Sequence, residues 1–328
     1  MERLKIALLA GGDSPEREIA LQSAAQIEAA LDHTKYDITV IDLHHRDWHY
    51  TAPDGRQWQL DKNDFSLTVD GVRKVFDYAL IIIHGTPGED GRLQGYLDMM
   101  GIPYSSCSMT SSVITFDKIT TKRTLAGRGI PLARERFLRR GEAFDPARIV
   151  AGLGLPLFVK PNANGSSFGV TKVLTAEELP AAVDAAFAQG DEILIEECIT
   201  GREMGCGILV AGGREYLFPI TEIVPKKDFF DYEAKYTAGL SDEITPAPID
   251  ESVRRELNRM TREAYRACRC SGVVRVDFIV TPEGRPYFIE LNSIPGMSAG
   301  SIVPKQVRQM GMTLGELYDI IIADTCRK

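Results

Sequence analysis

The sequence predicts a protein of mixed α/β and α+β class that opens with a doubly wound α/β domain. A buried strand, Leu4 to Ala10, leads through a Gly-rich turn into a helix and a second strand, which is the order of a doubly wound unit. A second apolar strand, Tyr78 to Ile83, ends in the same kind of turn. Strand segments then dominate the second half of the chain, at Glu192–Ile199, Gly205–Val210, Glu215–Ile223 and Gly272–Met297.

The length, net charge and cysteine content restrict the possible functions. A chain of 328 residues is long enough for two or three domains. Its net charge of −8 argues against nucleic acid or an anionic membrane as a partner. The six cysteines form no CxxC pair and fit neither a zinc site nor a disulfide framework, so we expect free thiols in the cytoplasm. No apolar run approaches the roughly 18 residues of a membrane span, and the apolar start does not fit a signal peptide.

The first helix is predicted from Pro15 to about Leu31, with Ser14 as its N-cap, and the second strand at Asp37 to Asp42. The turn before this helix should lie at the carboxyl edge of the sheet, where doubly wound proteins bind ligands. Glu16 therefore has two interpretations. It either stabilises the helix N-terminus, which is worth ~0.3–1 kcal/mol, or points into a ligand crevice, and its position alone favours the first.

Residues 44–75 are predicted to form a hairpin excursion with few candidate functional residues. Three histidines fall there, His44, His45 and His49, and they invite a metal interpretation. Because no companion carboxylate or cysteine pattern accompanies them, a polar loop is favoured.

The second Gly-rich turn is His84-Gly-Thr-Pro-Gly-Glu-Asp-Gly91, followed by a helix at Leu93 to Met100. Its glycines let backbone N–H groups approach an anion closely. His84 either contacts a phosphate or carboxylate or only bonds its own loop, and two Gly-rich turns at one sheet edge favour the functional role. A short strand, Ile102 to Tyr104, and a Ser-rich composition shift at residues 105–112 end this domain.

The stretch Leu155 to Pro161 is predicted to be a strand with Lys160 near its end. Residues 162–169 then form a Gly- and Ser-rich loop before the strand Val170 to Leu174, which suits a flexible flap over phosphates. This is not a Walker A loop, because the lysine precedes the glycines and a strand follows them. Lys160 either reaches an α-phosphate or extends to solvent, and the adjoining flap favours the phosphate.

Two further segments are candidate ligand contacts. The backbone of Glu197 to Ile199 can read an adenine edge, and residues 228–238 are predicted to be a loop or lid with Lys235 and Tyr236 as candidate ligands. The alternative for 228–238 is a surface loop whose aromatic side chains dock on the domain. The remaining elements are a strand at Phe137–Arg139 and helices at Phe116–Gly127, after the cap Asp145, and at Ala176–Gln189, Glu251–Cys270 and Leu314–Asp324.

The last hairpin carries the strongest chemical signal. Its strands alternate on either side of a turn at Glu283-Gly284. A register symmetric about this turn places Asp277 opposite Glu290 and Arg275 opposite Asn292, all on one face. Two opposed carboxylates repel without a cation, and oxygen ligands of this kind suit Mg²⁺ held together with substrate phosphates. Taken alone, the hairpin leaves a Mg²⁺ platform for a nucleotide and a solvated charged face as level alternatives.

Eight motifs occur in order along the chain: Gly11-Gly…Ser14-Pro-Glu16-Arg-Glu18, His84-Gly…Gly88-Glu-Asp-Gly91, Asp117-Lys118, Val159-Lys160-Pro161, Gly165-Ser-Ser167, Tyr232-Glu-Ala-Lys-Tyr236, Arg275-Val-Asp277 and Glu290-Leu-Asn292…Pro295-Gly-Met297. Together they resemble the D-alanine–D-alanine ligases of the ATP-grasp superfamily over nearly the whole chain. The resemblance implies an N-terminal α/β domain (1–105) and a two-part ATP-grasp fold. That fold has a central subdomain (106–192) and a C-terminal subdomain (193–328), with ATP held between them.

The resemblance also implies residue roles. The ligands of two Mg²⁺ or Mn²⁺ ions are Asp277, Glu290 and Asn292. The ATP contacts are Lys118, Lys160, Ser166, Ser167, Glu196, Glu197, Cys198, Ile199, Glu203 and Lys235. The catalytic groups are Glu16, Ser166 and Tyr236, which close over the substrate, together with Arg275 and Ser301. The substrate contacts are Glu16, His84, Gly296, Ser301 and Ile302, and Arg275 and the Gly296 backbone stabilise a tetrahedral oxyanion.

The implied reaction joins two D-alanines for peptidoglycan synthesis. One carboxylate attacks ATP to give an acyl phosphate, and the second amine displaces phosphate, while the flap and lid exclude water. Tyr236 favours D-alanine over D-lactate as the second substrate, and a homodimer is expected. The Glu197-Cys198 hinge departs from the family pattern, and residues 44–75 match no motif. Two alternatives stay open: an ATP-grasp ligase for another acceptor, such as D-lactate or D-serine, and a non-catalytic nucleotide-binding protein.

Overall fold

The computed structural model describes residues 2–163, 165, 169–225 and 241–326. Four residues with predicted roles, Ser166, Ser167, Lys235 and Tyr236, lie outside the described residues, as do most of the predicted flap and lid. The described residues form three sheets with helices packed on them, so the predicted mixed class is confirmed. No described helix is both long and apolar enough to cross a membrane.

The first sheet has seven strands in the order β6-β5-β4-β3-β2-β1-β7. Three strands pair in parallel as the doubly wound core, and four antiparallel strands extend the sheet as the predicted excursion. Because β1 and β7 are neighbours, the two Gly-rich turns lie side by side at one sheet edge. The elements are β1 (Leu4–Gly11), α1 (Arg17–Ala30), β2 (Tyr36–His44), β3 (Asp47–Thr51), β4 (Gln57–Asp61), β5 (Ser66–Val69), β6 (Val72–Val75), β7 (Tyr78–Ile81) and α2 (Arg92–Met100).

Two local predictions in this region are wrong. The first helix begins at Arg17, with Glu16 rather than Ser14 at the N-cap position. The Ser14 hydroxyl instead accepts a hydrogen bond from the Glu16 N–H and donates one to the His84 carbonyl, so it joins the two Gly-rich turns. The predicted strand at residues 102–104 reduces to one bridge between Ala79 and Tyr104, because Pro103 has no N–H to donate to a ladder.

The second sheet has four strands in the order β10-β9-β11-β8, all antiparallel. The predicted cap holds, since the Asp145 carboxylate accepts from the N–H groups of Ala147 and Arg148. The single helix predicted at 116–127 is wrong: two helices meet at Asp117, whose carboxylate caps the second one. The elements are α3 (Met109–Phe116), α4 (Lys118–Leu125), β8 (Glu135–Arg139), α5 (Pro146–Leu153), β9 (Leu157–Pro161), β10 (Thr171–Val173), α6 (Leu179–Phe187) and β11 (Glu192–Glu197).

The third sheet has six strands, in the order β15-β14-β12-β16-β17 with β13 paired to β12. The segment predicted as one strand at 215–223 is two strands, and a helix not predicted from the sequence begins at Ile302. The elements are β12 (Arg202–Ala211), β13 (Arg214–Leu217), β14 (Thr221–Pro225), β15 (Ser241–Ile244), α7 (Glu251–Ala267), β16 (Val273–Val280), β17 (Pro286–Asn292), α8 (Ile302–Gln309) and α9 (Leu314–Thr325).

The chain's last helix returns to the first sheet. Apolar side chains of α8 and α9 join the buried cluster under β1 and β7, and Tyr318 is one of its members. The hydroxyl groups of Tyr36 and Tyr78 bond to Asp319 and Thr325 of α9, at 2.7 and 2.5 Å. The first sheet is thus packed on one side by residues from the carboxyl-terminal end of the chain.

The hairpin register confirms the prediction where the polar residues lie. Asp277 pairs with Glu290 and Arg275 with Asn292, and the register then shifts by one residue, so that Phe278 pairs with Phe288. The predicted symmetry about Glu283-Gly284 is therefore wrong next to the turn, where the pairs are one residue off, and the shift between Asp277 and Phe278 is a β-bulge. It lets both phenylalanines enter the core, 0% and 3% exposed, with their rings edge to face at 6.2 Å. The polar pair meanwhile keeps facing the cavity.

The contribution of the buried Phe278–Phe288 pair to stability can be tested by truncating one side chain. We expect Phe278→Ala to lower the free energy of unfolding by about 3–5 kcal/mol, because the change leaves a cavity in a packed core. Urea denaturation followed by circular dichroism measures the loss. The control is Val72→Ala in β6, where the side chain is 72% exposed and the expected change is within about 0.5 kcal/mol. Equal losses in the two variants would contradict the placement of Phe278.

Candidate active site

Two adjoining cavities collect the predicted site residues that the structure describes. The larger, of about 420 Å³, lies between the second and third sheets, and the smaller, of about 130 Å³, lies between the Gly-rich turns and the last hairpin. Lys118, Glu203 and Glu290 line both. The larger is also lined by Lys160, Glu196, Glu197, Cys198 and Ile199, and the smaller by Glu16, His84, Arg275, Asp277, Asn292, Gly296, Ser301 and Ile302. Their individual roles stay predictions.

The polar face of the hairpin forms the floor where the cavities meet. Asp277 is 3% exposed, and its carboxylate accepts two hydrogen bonds from Arg275, at 2.8 and 2.9 Å, and one from the Asn292 amide at 3.0 Å. The guanidinium supplies the positive charge that a carboxylate opposite Glu290 requires. The oxygens of Asp277, Glu290 and Asn292 are hard donors on one face, so this set fits Mg²⁺ or Mn²⁺ by its chemistry.

A buried charge cluster forms the wall of the larger cavity. Glu196 accepts from Lys122 at 2.6 Å and forms an ion pair with Lys160, and Lys122 also pairs with Glu135. Burial alone would raise the pKa of Glu196, but the two ammonium groups outweigh it and lower the pKa to about 2. The Lys160 side chain is only 13% exposed, so the alternative of a solvent-extended lysine is wrong. Lys122 lines neither cavity, and its support of Glu196 was not predicted, although it follows Lys118 by one helical turn.

The position of Lys118 is fixed by the first residue of the predicted flap. The Asn162 carbonyl accepts from the Lys118 N–H at 3.1 Å, and its side-chain oxygen accepts from the Ile119 N–H at 2.9 Å. The Asn162 amide in turn donates to Asp117 and Glu192. Because Asn162 is 1% exposed, the start of α4 and the start of the flap are one rigid unit.

The hinge segment offers less to a nucleobase than the sequence predicts. The N–H groups of Glu197 and Cys198 donate to the carbonyls of Arg134 and Pro156. The Glu197 carboxylate bonds the Arg134 guanidinium at 2.6 and 2.7 Å and points toward it. A base would therefore be recognised by other backbone groups of this segment. Arg134 holds the Glu197 carboxylate, and nothing in the sequence near Glu197 indicates this ion pair.

The smaller cavity contains a neutral histidine. His84 is 4% exposed, and burial lowers its pKa, which the negative charge of Glu16 only partly opposes. The His84 Nδ1–H donates to the Ile294 carbonyl at 2.9 Å, so Nε2 carries the lone pair. Among the described residues, Nε2 has no hydrogen-bond partner. A buried acceptor lining a cavity is suited to a ligand N–H.

Gly296 packs closely against the start of α8. A Cβ built there would lie 2.8 Å from the Ser301 hydroxyl oxygen. Ser301 occupies the N-cap position of α8, and its hydroxyl is 2.8 Å from that of Ser298. Gly296 and the start of α8 thus form one compact wall of the smaller cavity, and Ile302 follows directly.

A carboxylate without a predicted role, Glu89, also lines the smaller cavity. Burial raises its pKa to about 8, the negative charge of Glu16 adds to the rise, and N–H donors from Gly85 and Ile294 oppose it. A raised pKa in a cleft is typical of functional carboxyl groups. Glu89 belongs to the motif Gly88-Glu-Asp-Gly91, so its presence in the motif was the signal that could have found it.

The histidines of the excursion lie outside both cavities. His44 and His45 cluster with Asp13, and the candidate ligand atoms all lie within 4.8 Å of one another. His45 and His44 are exposed, and His49 is not in the cluster. Exposed groups of this kind are common without a metal. The predicted polar loop is wrong for two of the three histidines, because His44 ends β2 and His49 lies in β3.

Family models match most of the chain. The model described as D-ala D-ala ligase N-terminus matches residues 5–107, and that described as D-ala D-ala ligase C-terminus matches residues 125–323. The D-alanine–D-alanine ligase of Phocaeicola vulgatus is 43% identical over 317 residues, which covers 97% of this chain and 98% of that protein.

Solved structures agree with the family models. The VanG D-Ala:D-Ser ligase of Enterococcus faecalis superimposes with a TM-score of 0.88 at 31% identity, covering 98% of this chain and 99% of that chain. The D-alanine–D-alanine ligase of Bacillus anthracis complexed with ATP gives a TM-score of 0.80 at 31% identity, covering 99% and 98%. These likenesses extend over the whole length of the fold.

The buried cluster predicts a specific dependence on pH. We expect Glu196→Gln to lower stability by about 3–5 kcal/mol at pH 7, because two buried ammonium groups lose a shared counter-charge. The depressed pKa of Glu196 contributes stability above pH 4.5, and this contribution is lost as pH falls toward about 2. The difference between the unchanged chain and the variant should therefore shrink over that window. Urea midpoints measured at pH 7 and pH 3 test it.

The matched control for this prediction is Glu142→Gln. Glu142 pairs with Arg136 at the surface, where both side chains are more than one-third exposed. Exposed pairs contribute roughly 0–1 kcal/mol. If both variants lost the same stability at pH 7, the Glu196 cluster would not be the buried ion network described here.

Proposed function

Because this chain belongs to the D-alanine–D-alanine ligase family, we propose that its two cavities are the ATP site and the amino acid site of one reaction. The protein is an ATP-dependent ligase that joins two D-alanines to D-alanyl-D-alanine for peptidoglycan synthesis. One observation supports the assignment of ATP to one cavity and the amino acids to the other. Lys118, Glu203 and Glu290 line both cavities, so the phosphates of a nucleotide in the larger one would meet the amino acid in the smaller one.

The larger cavity is proposed to hold ATP. Its base would lie along Glu197 to Ile199, and Glu203 would contact the ribose. Lys118 and Lys160 would bind phosphate oxygens, with Glu196 holding the Lys160 ammonium in place by the ion pair described above. The family resemblance adds three phosphate contacts, Ser166, Ser167 and Lys235.

Asp277, Glu290 and Asn292 are proposed to hold two Mg²⁺ or Mn²⁺ ions. Bound there, the ions would neutralise charge on the transferred phosphoryl group. The chain's own contribution is to keep these oxygens on one face, through the register of β16 and β17 and the bonds of Arg275 and Asn292 to Asp277.

The smaller cavity is proposed to bind the two amino acids. Glu16, with Ser166 and Tyr236, would close over the first D-alanine, and His84 would lie beside the substrates. Ser301 and Ile302 would contact the second. The first carboxylate would take the γ-phosphoryl group of ATP, which releases ADP. The unprotonated amine of the second amino acid would attack the resulting acyl phosphate carbonyl, and phosphate would leave. The Arg275 guanidinium and the Gly296 N–H are proposed to stabilise the oxyanion that forms at this step.

Several coarser features belong to the same proposal. We propose the domain limits 1–105, 106–192 and 193–328, a cytoplasmic location and a homodimer. The main competing function is a ligase for a different acceptor. It deserves a test because the E. faecalis neighbour is named a D-Ala:D-Ser ligase, and because Tyr236, the residue proposed to select the acceptor, lies outside the described residues.

The acceptor preference is tested by turnover with a single amino acid. With Mg²⁺, ATP and D-alanine alone, we expect stoichiometric release of phosphate and formation of D-alanyl-D-alanine, measured by coupled phosphate assay and mass spectrometry. L-alanine is the control and should give neither product. Turnover that required D-serine or D-lactate would replace the proposed acceptor. ATP binding without any turnover would favour the non-catalytic alternative.

The proposed metal ligands are tested on the same hairpin. We expect Asp277→Asn and Glu290→Gln each to raise the Mg²⁺ concentration needed for half-maximal rate by at least the roughly 10–100-fold that loss of outer-shell partners costs. Rates are measured over a Mg²⁺ titration at fixed ATP. The matched control is Glu283→Gln at the exposed hairpin turn, which should leave the titration unchanged. An unchanged Mg²⁺ requirement in both ligand variants would refute the assignment.

A further inference from the structure

Ile294 lies in the loop after β17. Side chains from one Gly-rich turn of the first domain bond both its carbonyl and its N–H group. The Ile294 carbonyl accepts from His84 Nδ1 at 2.9 Å, and the Ile294 N–H donates to Glu89 Oε1 at 3.2 Å. Two side chains only five positions apart thus bind a residue more than 200 positions away. Two bonds to one residue fix the orientation of the loop relative to the Gly-rich turn as well as the distance between them.

The Glu89 carboxyl group is itself held by the backbone of its own turn. Its Oε2 accepts from the Gly85 N–H at 2.8 Å, and the Glu89 N–H donates to the Gly85 carbonyl at 2.7 Å. Gly85 has φ of +69°, and a Cβ there would lie 2.7 Å from Ser14 Cβ, so the turn is packed tightly against the start of α1. The Ser14 hydroxyl donates to the His84 carbonyl. The turn that holds Ile294 is therefore tied to the segment that carries Glu16.

The held residue lies between two groups of the proposed site. Ile294 follows Asn292 by two residues and precedes Gly296 by two, and it is 5% exposed. Glu89, His84 and Ile294 all line the smaller cavity. A bond to a buried N–H is costly to lose, because the donor is left without a partner. Glu89 therefore sets where the loop after the metal-binding strand lies relative to the amino acid site.

We propose that Glu89 is a positioning residue for the ligase reaction, acting through the Ile294 backbone to align the first D-alanine with the end of β17. The proposal rests on the function proposed above and adds a residue to it. A displacement of about 1 Å at a reacting centre can cost roughly 100-fold in rate. The effect of Glu89 should therefore appear in the use of D-alanine and not in the binding of ATP.

The test is Glu89→Gln, which keeps the side-chain size but leaves one oxygen to accept from two backbone N–H groups. We expect kcat/KM for D-alanine to fall by about 10- to 100-fold, with KM for ATP unchanged within about twofold. Hydrogen exchange of the Ile294 amide, followed by NMR, should become faster. The matched control is Asp90→Asn in the same turn. Asp90 accepts from Thr86 at 2.6 Å and pairs with Arg92, and neither bond reaches Ile294.

The outcomes separate the explanations. If Glu89→Gln behaves like Asp90→Asn in D-alanine kinetics, the positioning role is wrong. If Glu89→Gln lowers only the melting temperature and the active fraction, with KM for D-alanine and kcat per active site unchanged, the residue is merely structural and the proposal also fails. If Glu89→Ala does not fold, Glu89→Gln still decides the matter. Failure of the unchanged protein to make the dipeptide would instead overturn the proposed function.

Discussion

The opposition of Asp277 and Glu290 across β16 and β17 is the constraint on which the site depends. Two carboxylates at paired positions repel, and the chain meets this with the guanidinium of Arg275, which bonds both oxygens of Asp277. The bulge just beyond keeps the pair facing the cavity while Phe278 and Phe288 fill the core. The hairpin thus has one packed apolar face and one charged face. The packing of the apolar face fixes the backbone that carries the charged side chains.

A second charged assembly shows how the larger cavity avoids the cost of buried charge. Lys122 and Lys160 share Glu196, and Lys122 also bonds the Ala133 carbonyl. Isolated ammonium groups would be expensive at this depth. Glu135 also pairs with Lys122, so the cluster holds two ammonium groups and two carboxylates, and the charges balance. Lys160 is the cation of the cluster that lines the larger cavity, where it can meet nucleotide phosphates.

Much of this molecule follows from local pattern, and the exceptions have physical causes. Alternation and a symmetric turn predict the Asp277–Glu290 pair. The strands next to the turn are one residue out of the predicted register, and the bulge before Phe278 restores it. The bulge depends on how Phe278 and Phe288 fill a core built by other elements, which local pattern does not contain. The partners of Glu196 and Glu197 are likewise distant in sequence. Glu89 shares its motif with His84, yet its bond to Ile294 exists only after the first and third sheets pack together.

The docking of α9 on the first sheet has a consequence for biosynthesis. Tyr36 and Tyr78 find their hydroxyl partners in the last helix, and the cluster beneath β1 is completed by its apolar side chains. The first sheet is synthesised long before α9, and until α9 has been made this buried cluster lacks several of its members. A nascent chain that stalls before α9 therefore leaves part of the apolar face of the sheet open to chaperones and proteases.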